Sequence, residues 1–286
     1  MCRFTIFIAL VVFIFVASLG YAEETQSPKE EPQSLPKVQL TYGPGGPERK
    51  AHAIAGEQLY IRLELPKSLS FNGKTDLWGE LSLVSQVDQT KFFRSPVNPL
   101  QGFSTKNASS VFLGFLTVPP DFEEGKYDLI LSLLNPDRSV LCEGKETIDL
   151  CPTSSFGIRN FTFIHGFISS TTGVPGPNVF VVGAYAKFAY AVSGLSLNPN
   201  EEFDAVVKST LVDSEGVSID IMEPTFLLSR SEVFRFADLG LPWVTLSLPL
   251  VQPGNFVLKI EVEDLNAQKK ESLELPLYVV DPNSYQ

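Results

Sequence analysis

Histidine, tryptophan and cysteine are scarce in this chain of 286 residues, which holds two, two and three of them. Their scarcity excludes several kinds of chemistry. A serine or cysteine nucleophile normally needs a base beside it, and His52 and His165 each lie in or near a loop, outside any G-x-S-x-G pattern. Zinc needs three or four converging nitrogen or sulfur ligands. Cys142, Cys151 and His165 form the one near cluster, with no C-x-x-C or H-x-x-x-H spacing to support it. No catalytic residue, metal or cofactor is expected. Positive charge is also short: 22 Lys and Arg stand against 33 Asp and Glu, a net charge of −11. That balance repels phosphate backbones and anionic headgroups, which excludes nucleic acid as an expected partner.

Helical periodicity is missing too. From residue 23 onward no segment carries it over about ten residues; "LSRSEVFRFADLG" offers one or two turns at most. The one long apolar run, Phe4 to Leu19, follows Arg3 and ends at Gly20, Tyr21 and Ala22. Small residues at 20 and 22 predict a signal peptide over 1–22 cleaved after Ala22, with an uncleaved anchor as the alternative. Cys2 precedes the run, so the cysteine that a bacterial lipoprotein signal needs at the cleavage point is not there. The expected location is extracytoplasmic, periplasmic or secreted, with no membrane insertion after cleavage. Removing 1–22 leaves 21 basic side chains against 33 acidic, a formal charge of −12.

What the chain does have is alternation. Residues 23–36, "EETQSPKEEPQSLP", form a solvated linker that cannot bury enough surface to fold. Then "KVQLTY", "EQLYIRLEL", "LWGELSLV", "VFLGFLTV", "KYDLILSLL" and "ETIDL" read as strands. Residues 152–157, "PTSSFG", are a polar, breaker-rich linker. Strands resume with "RNFTFIHGF", a long one at "VFVVGAYAKFAYAV", then "AVVKSTLV", "WVTLSLPL", "NFVLKIEVED" and "ESLELPLYVV". Closely spaced strands without helical crossovers indicate antiparallel β structure. The fold class is all-β, with domains at 37–151 and 158–282.

The halves also repeat each other. Gly56 matches Gly183 at an offset of 127, "SLSFNG" matches "GLSLNP" at 126, Pro119 matches Pro249 at 130, and Gly125-Lys126-Tyr127 matches Gly254-Asn255-Phe256 at 129. Nearly constant offsets over seventy positions indicate a duplicated domain. Each half should be a β-sandwich, since a lone sheet would leave its apolar face in water.

The element "EEGKYDLILSL" resembles the penultimate strand of immunoglobulin-like and fibronectin type III-like domains, and the halves resemble the tandem sandwiches of bacterial envelope proteins. Glu123, Gly125 and Tyr127 hold the places of that family's acid-x-Gly-x-Tyr pattern, and Leu129 stands where immunoglobulins place a core cysteine. Trp78 likewise resembles the fold's buried tryptophan. The resemblance implies that the Tyr127 hydroxyl bonds back to the backbone at the corner. Phe256 has no hydroxyl, so the second half departs from the pattern there.

Several side chains remain as candidates. Cys142 and Cys151 could form a disulfide only if the chain reverses at Glu143-Gly144-Lys145, because one continuous strand would hold them about 30 Å apart. The acidic turns "NPDR" at 135, "VDSEG" at 212 and "EDLN" at 263 could offer calcium ligands, although Asp and Asn in turns ordinarily cap turn backbones. Glu123-Glu124 and Glu201-Glu202 read as solvated loop charge. Trp243, at a breaker, is the candidate exposed aromatic for a ligand. Asn107 and Asn160 open N-x-[ST] sequons. The expectation is a non-catalytic binding or structural module for a protein or glycan partner, using loops at the sandwich ends or the segments 86–110 and 217–242. The alternatives are an accessory protein of carbohydrate-active or other hydrolases, or a tethered envelope assembly factor.

Overall fold

A computed structural model describes residues 37–64, 76–89, 92–94, 98–101, 111–167, 173–200, 202–219, 225–229, 234–235 and 242–285. The signal peptide, its cleavage after Ala22 and the linker 23–36 lie outside the described residues. The chain divides into two compact units, with the change between Leu150 and Cys151.

In the first unit the strands are β1 (Lys37–Thr41), β2 (His52–Ile54), β3 (Gln58–Glu64), β4 (Asp76–Ser85), β5 (Phe92–Arg94), β6 (Asn98–Gln101), β7 (Val111–Thr117), β8 (Gly125–Leu134) and β9 (Val140–Cys151). One sheet runs β1-β3-β7; the other runs β2-β9-β8-β4-β5, with β6 also beside β4. Strand alternation puts Leu129, Leu131 and Leu133 of β8 on the same face as Leu81 and Leu83 of β4, and these meet Leu40, Leu59, Ile61 and Leu63 from the other sheet in a single aliphatic core.

The second unit repeats the plan with β10 (Gly157–Phe167), β11 (Gly173–Gly176), β12 (Val179–Val181), β13 (Tyr185–Ser193), β14 (Asp204–Asp213), β15 (Thr225–Ser229), β16 (Phe234–Arg235), β17 (Pro242–Pro249), β18 (Gly254–Asp264) and β19 (Lys269–Val280). Its sheets run β11-β10-β13-β17-β16 and β12-β19-β18-β14-β15. Here the core is aromatic: Phe161 lies edge-on to Phe163 at 5.0 Å and stacks on Phe188 at 5.8 Å. Leu258, Ile260, Leu275 and Leu277 are buried on the other sheet. The chain is all-β, two sandwiches of immunoglobulin-like strand order.

The doubled element is the central strand of each half, β8 and β18. Gly125 (φ 147°) and Gly254 (φ 153°) begin those strands in a conformation that side chains rarely adopt. Tyr127 Oη donates to the Glu123 carbonyl at 3.1 Å, as the family resemblance implied. Leu129 is fully buried in the core.

Four expectations need correction. The run 179–192 is two strands in different sheets, because Gly183 (φ 84°) turns the chain between β12 and β13. Pro119 and Pro249 are not equivalent. The paired bonds Gly56 N–H to Val118 O and Val118 N–H to Glu57 O recur as Gly183 N–H to Leu250 O and Leu250 N–H to Ala184 O. Val118 therefore corresponds to Leu250, and Pro119 falls in a connection three residues longer than its counterpart. Trp78 is half-buried on the outer face of β4, in the alternation of Glu80 and Ser82, while Leu81 and Leu83 take the inward places. Finally, the reversal that a Cys142–Cys151 bridge requires does not occur. Glu143, Gly144 and Lys145 pair in continuous register with Ser132, Leu131 and Ile130, and Cys142 and Cys151 are not joined by a disulfide.

Candidate functional site

The corner that leads into the second long strand differs between the halves. In the first unit Glu57, fully buried, accepts from Arg49 Nη1 at 2.8 Å and from the Ile54 N–H at 3.0 Å. Arg49 Nη2 donates to the His52 carbonyl at 2.5 Å, and its guanidinium lies 5.4 Å from the Tyr42 ring centre. Because Arg49 is itself 6 % exposed, the short edge strand β2 is tied to the following turn by a desolvated ion pair. Ala53 and Ile54 are buried under it.

Ala184 occupies Glu57's place in the second unit, and the equivalent edge strand, β12, is open. β12 pairs in parallel with β19, Val179 opposite Tyr278 and Val181 opposite Val280. Its middle residue, Phe180, turns inward, whereas Val179 and Val181 are 40 % and 43 % exposed. Tyr278, 41 % exposed, is the register partner of Val179, Tyr185, 57 % exposed, lines the same groove as β12, and Val251 at 68 % follows the Leu250 that bonds to Gly183 and Ala184. A groove of about 330 Å³ opens here, lined by His165, Val179, Phe180, Val181, Tyr185 and Lys187 among others.

Local constraints build the groove. The His165 imidazole lies flat on Phe180, ring centres 4.5 Å apart and planes 12° from parallel. Its Nε2 donates to the Pro177 carbonyl at 2.5 Å, which places a proton on that nitrogen. A Cβ at Gly176 would come within 2.3 Å of the imidazole Cδ2, so only glycine leaves room for this ring. Lys187 stands opposite Ile164 in the β10–β13 register and brings a cation to the groove. The arrangement can grip an apolar or aromatic group and offer polar atoms beside it.

The other nominated residues are scattered. Cys142 is half-buried, and burial, with the Glu143 carboxylate adding to it, raises its thiol pKa. Cys151 ends β9. Trp243 is opposite Ala191 and Phe234 in the backbone register, and its side chain lies outside the described residues, as do Asn107, Glu201 and most of 86–110 and 217–242. His52 Nδ1 lies 3.8 Å from the Asp149 carboxylate on an exposed surface. The acidic turns spend their carboxylates on the chain itself: Asp137 accepts from the Ser139 N–H and hydroxyl, and Asp213 from the Glu215 and Val217 N–H groups. Asp264 accepts from Ser196, Asn266 and Ala267 N–H groups. Among the described residues no group of three or more metal-ligating side chains converges. Asn160 is buried within β10, where a glycan has no room.

Sequence reasoning missed the β12 edge. Its one sequence signal was Gly183 between the valine-rich "VFVV" and the alanine-rich "AYAKFAYAV", which could have been read as a strand break.

No protein-family model and no curated protein matches the chain. Among solved structures it is similar to the fibronectin(III)-like modules of CbhA from Clostridium thermocellum, at 12 % identity and a TM-score of 0.24 over 86 % of this chain and 95 % of that one. The ICAM-5 D1–D4 ectodomain fragment matches at 13 % identity and a TM-score of 0.24, over 86 % of this chain and 54 % of that one. The C-terminal domain of the Streptococcus pyogenes antigen I/II-family protein AspA matches at 8 % identity and a TM-score of 0.29, over 86 % of this chain and all of that one. The immunoglobulin-like assignment stands on the strand order of the sheets themselves.

Proposed function

We propose that this chain is a non-catalytic extracytoplasmic binding module, in which sandwiches at 37–151 and 158–282, joined by 152–157, present the β12 corner of the second sandwich to a protein partner. The observation that carries this reading is the unequal treatment of equivalent corners. Burying an edge strand is the ordinary protection against unwanted pairing, and the first half does so with Arg49 and Glu57, while the second leaves valine and tyrosine side chains in solvent. Clustered exposed apolar residues of this kind mark interaction surfaces. The leader-like residues 1–22 support export.

Photocrosslinking in the native envelope tests the reading. A crosslinker at position 185 should capture a discrete partner, and Val181→Lys should lower the yield at least tenfold. An unchanged yield with Val181→Lys overturns the assignment of the surface. Export is tested separately by sequencing the mature amino terminus, expected at Glu23.

A further inference from the structure

The open corner has backbone as well as side chains to offer. In a parallel pair, alternate residues of one strand bond to the neighbour and the residues between them face away. The bonds from Tyr278 N–H to Asn178 O and from Val182 N–H to Val280 O assign the even-numbered residues of β12 to β19. The Val179 N–H and C=O and the Val181 N–H therefore point off the sheet edge, and among the described residues no strand pairs with that side. The Val181 carbonyl is taken by the Ala184 N–H of the turn, which sets the end of the free edge. No lysine or proline interrupts β12, although such residues commonly blunt exposed edges.

We infer that β12 accepts an extended segment of a partner protein as an added strand, bonded at Val179 and Val181, with an apolar side chain seated against the His165–Phe180 stack and an acidic residue directed to Lys187. This inference rests on the proposed binding role of the same corner. Strand addition takes its affinity from main-chain bonds and its specificity from pockets for alternate side chains, and the groove beside β12 provides such a pocket. The charge favours an acidic segment over a second copy of this chain. Among the described residues lining the groove none is acidic, whereas Lys187 and His165 are basic types. Two copies joined at this edge would bring two linings of basic type together with no carboxylate from either.

Amide NMR of the full mature chain, titrated with the peptide acetyl-EVTVTVE-amide, tests this directly. The expected result is perturbation and slowed hydrogen exchange at Val179 and Val181, with at least tenfold weaker binding of acetyl-KVTVTVK-amide. Lys187→Glu should narrow or reverse that preference, and Val181→Pro, which deletes an outward-facing donor, should abolish protection without unfolding the second sandwich. If neither peptide perturbs these amides at millimolar concentration, or if both bind equally, strand addition by an acidic segment is wrong. Concentration-dependent protection of the same amides without peptide would assign the edge to self-association instead. Loss of strand addition with crosslinking from position 185 intact would leave the binding surface standing and remove only its mode.

Discussion

The first sandwich buries a carboxylate and a guanidinium at the corner entering its second long strand; the second sandwich puts the methyl group of Ala184 in the carboxylate's place and leaves Val179, Val181 and Tyr185 in solvent. The two corners share their backbone bonds down to the reciprocal pairs at Gly56 and Gly183. A duplicated scaffold thus keeps its hydrogen-bond frame and changes the side chains at one edge, which is where a new interaction can be placed at little risk to the core. The cores differ as well, one aliphatic and the other built around Phe161, Phe163, Phe188 and Tyr190. Equivalent strands can be filled with different shapes provided that alternation and volume are kept.

The comparison can be broken most severely at Glu57. Glu57→Ala leaves Arg49 buried without its carboxylate and should destabilise the first sandwich by about 3–5 kcal/mol. Hydrogen exchange resolved along the chain should show the loss in the first half and leave the second unchanged. Leu129→Ala and Leu258→Ala occupy equivalent core positions and should each cost about 2–5 kcal/mol. Denaturant melts of the two variants that differ by more than this range would argue against equivalent core roles.

Asp264 separates the halves by pH. Its equivalent in the first half is Asn135, one residue beyond the β8 register that Asp264 completes in β18. Burial of Asp264 would by itself raise its pKa, but hydrogen bonds from Ser196, Ala267 and Asn266 outweigh burial and lower it. A carboxyl with a depressed folded pKa stabilises in full above the ordinary carboxylate range, and that contribution is lost as pH falls through the lowered value. Asp264→Asn should therefore cost about 1.5–3 kcal/mol at neutral pH and flatten the acid limb of the second sandwich's stability, read by melts between pH 7 and pH 2.

The smallest expected effect is at the corner hydroxyl. Tyr127→Phe makes the first half match Phe256 of the second and should cost about 1 kcal/mol, measured as a shift in the denaturation midpoint with the slope unchanged. A neutral result would mean that the bond to Glu123 adds nothing beyond the ring's stacking on Phe122 at 5.2 Å.

The strands were legible because alternation is a local property. Tyr127 to Leu133 and Phe256 to Val262 announce one buried face whatever their neighbours do. Trp78 was misread because Leu77, Trp78 and Gly79 break the apolar–polar alternation at that end of β4, leaving the parity to be set by pairing with β8. The disulfide hinged on whether Glu143-Gly144-Lys145 turns, and pairing with Ser132, Leu131 and Ile130 holds those residues extended. The β12 edge was hidden for a different reason. Val179 to Val192 alternates well enough to read as one strand, and a single glycine at φ 84° sends its two parts to different sheets.

By itself, then, the sequence determined that this protein is all-β, that its two halves repeat, and which residues of the doubled element face a core, since each of these follows from side-chain spacing along the chain. Only the tertiary structure decided which short strand lies at an edge, that Arg49 closes that edge in one half, and that Ala184 leaves it open in the other. Those facts depend on strand neighbours far apart in the chain, and no local pattern encodes which backbone groups remain once all the others are paired.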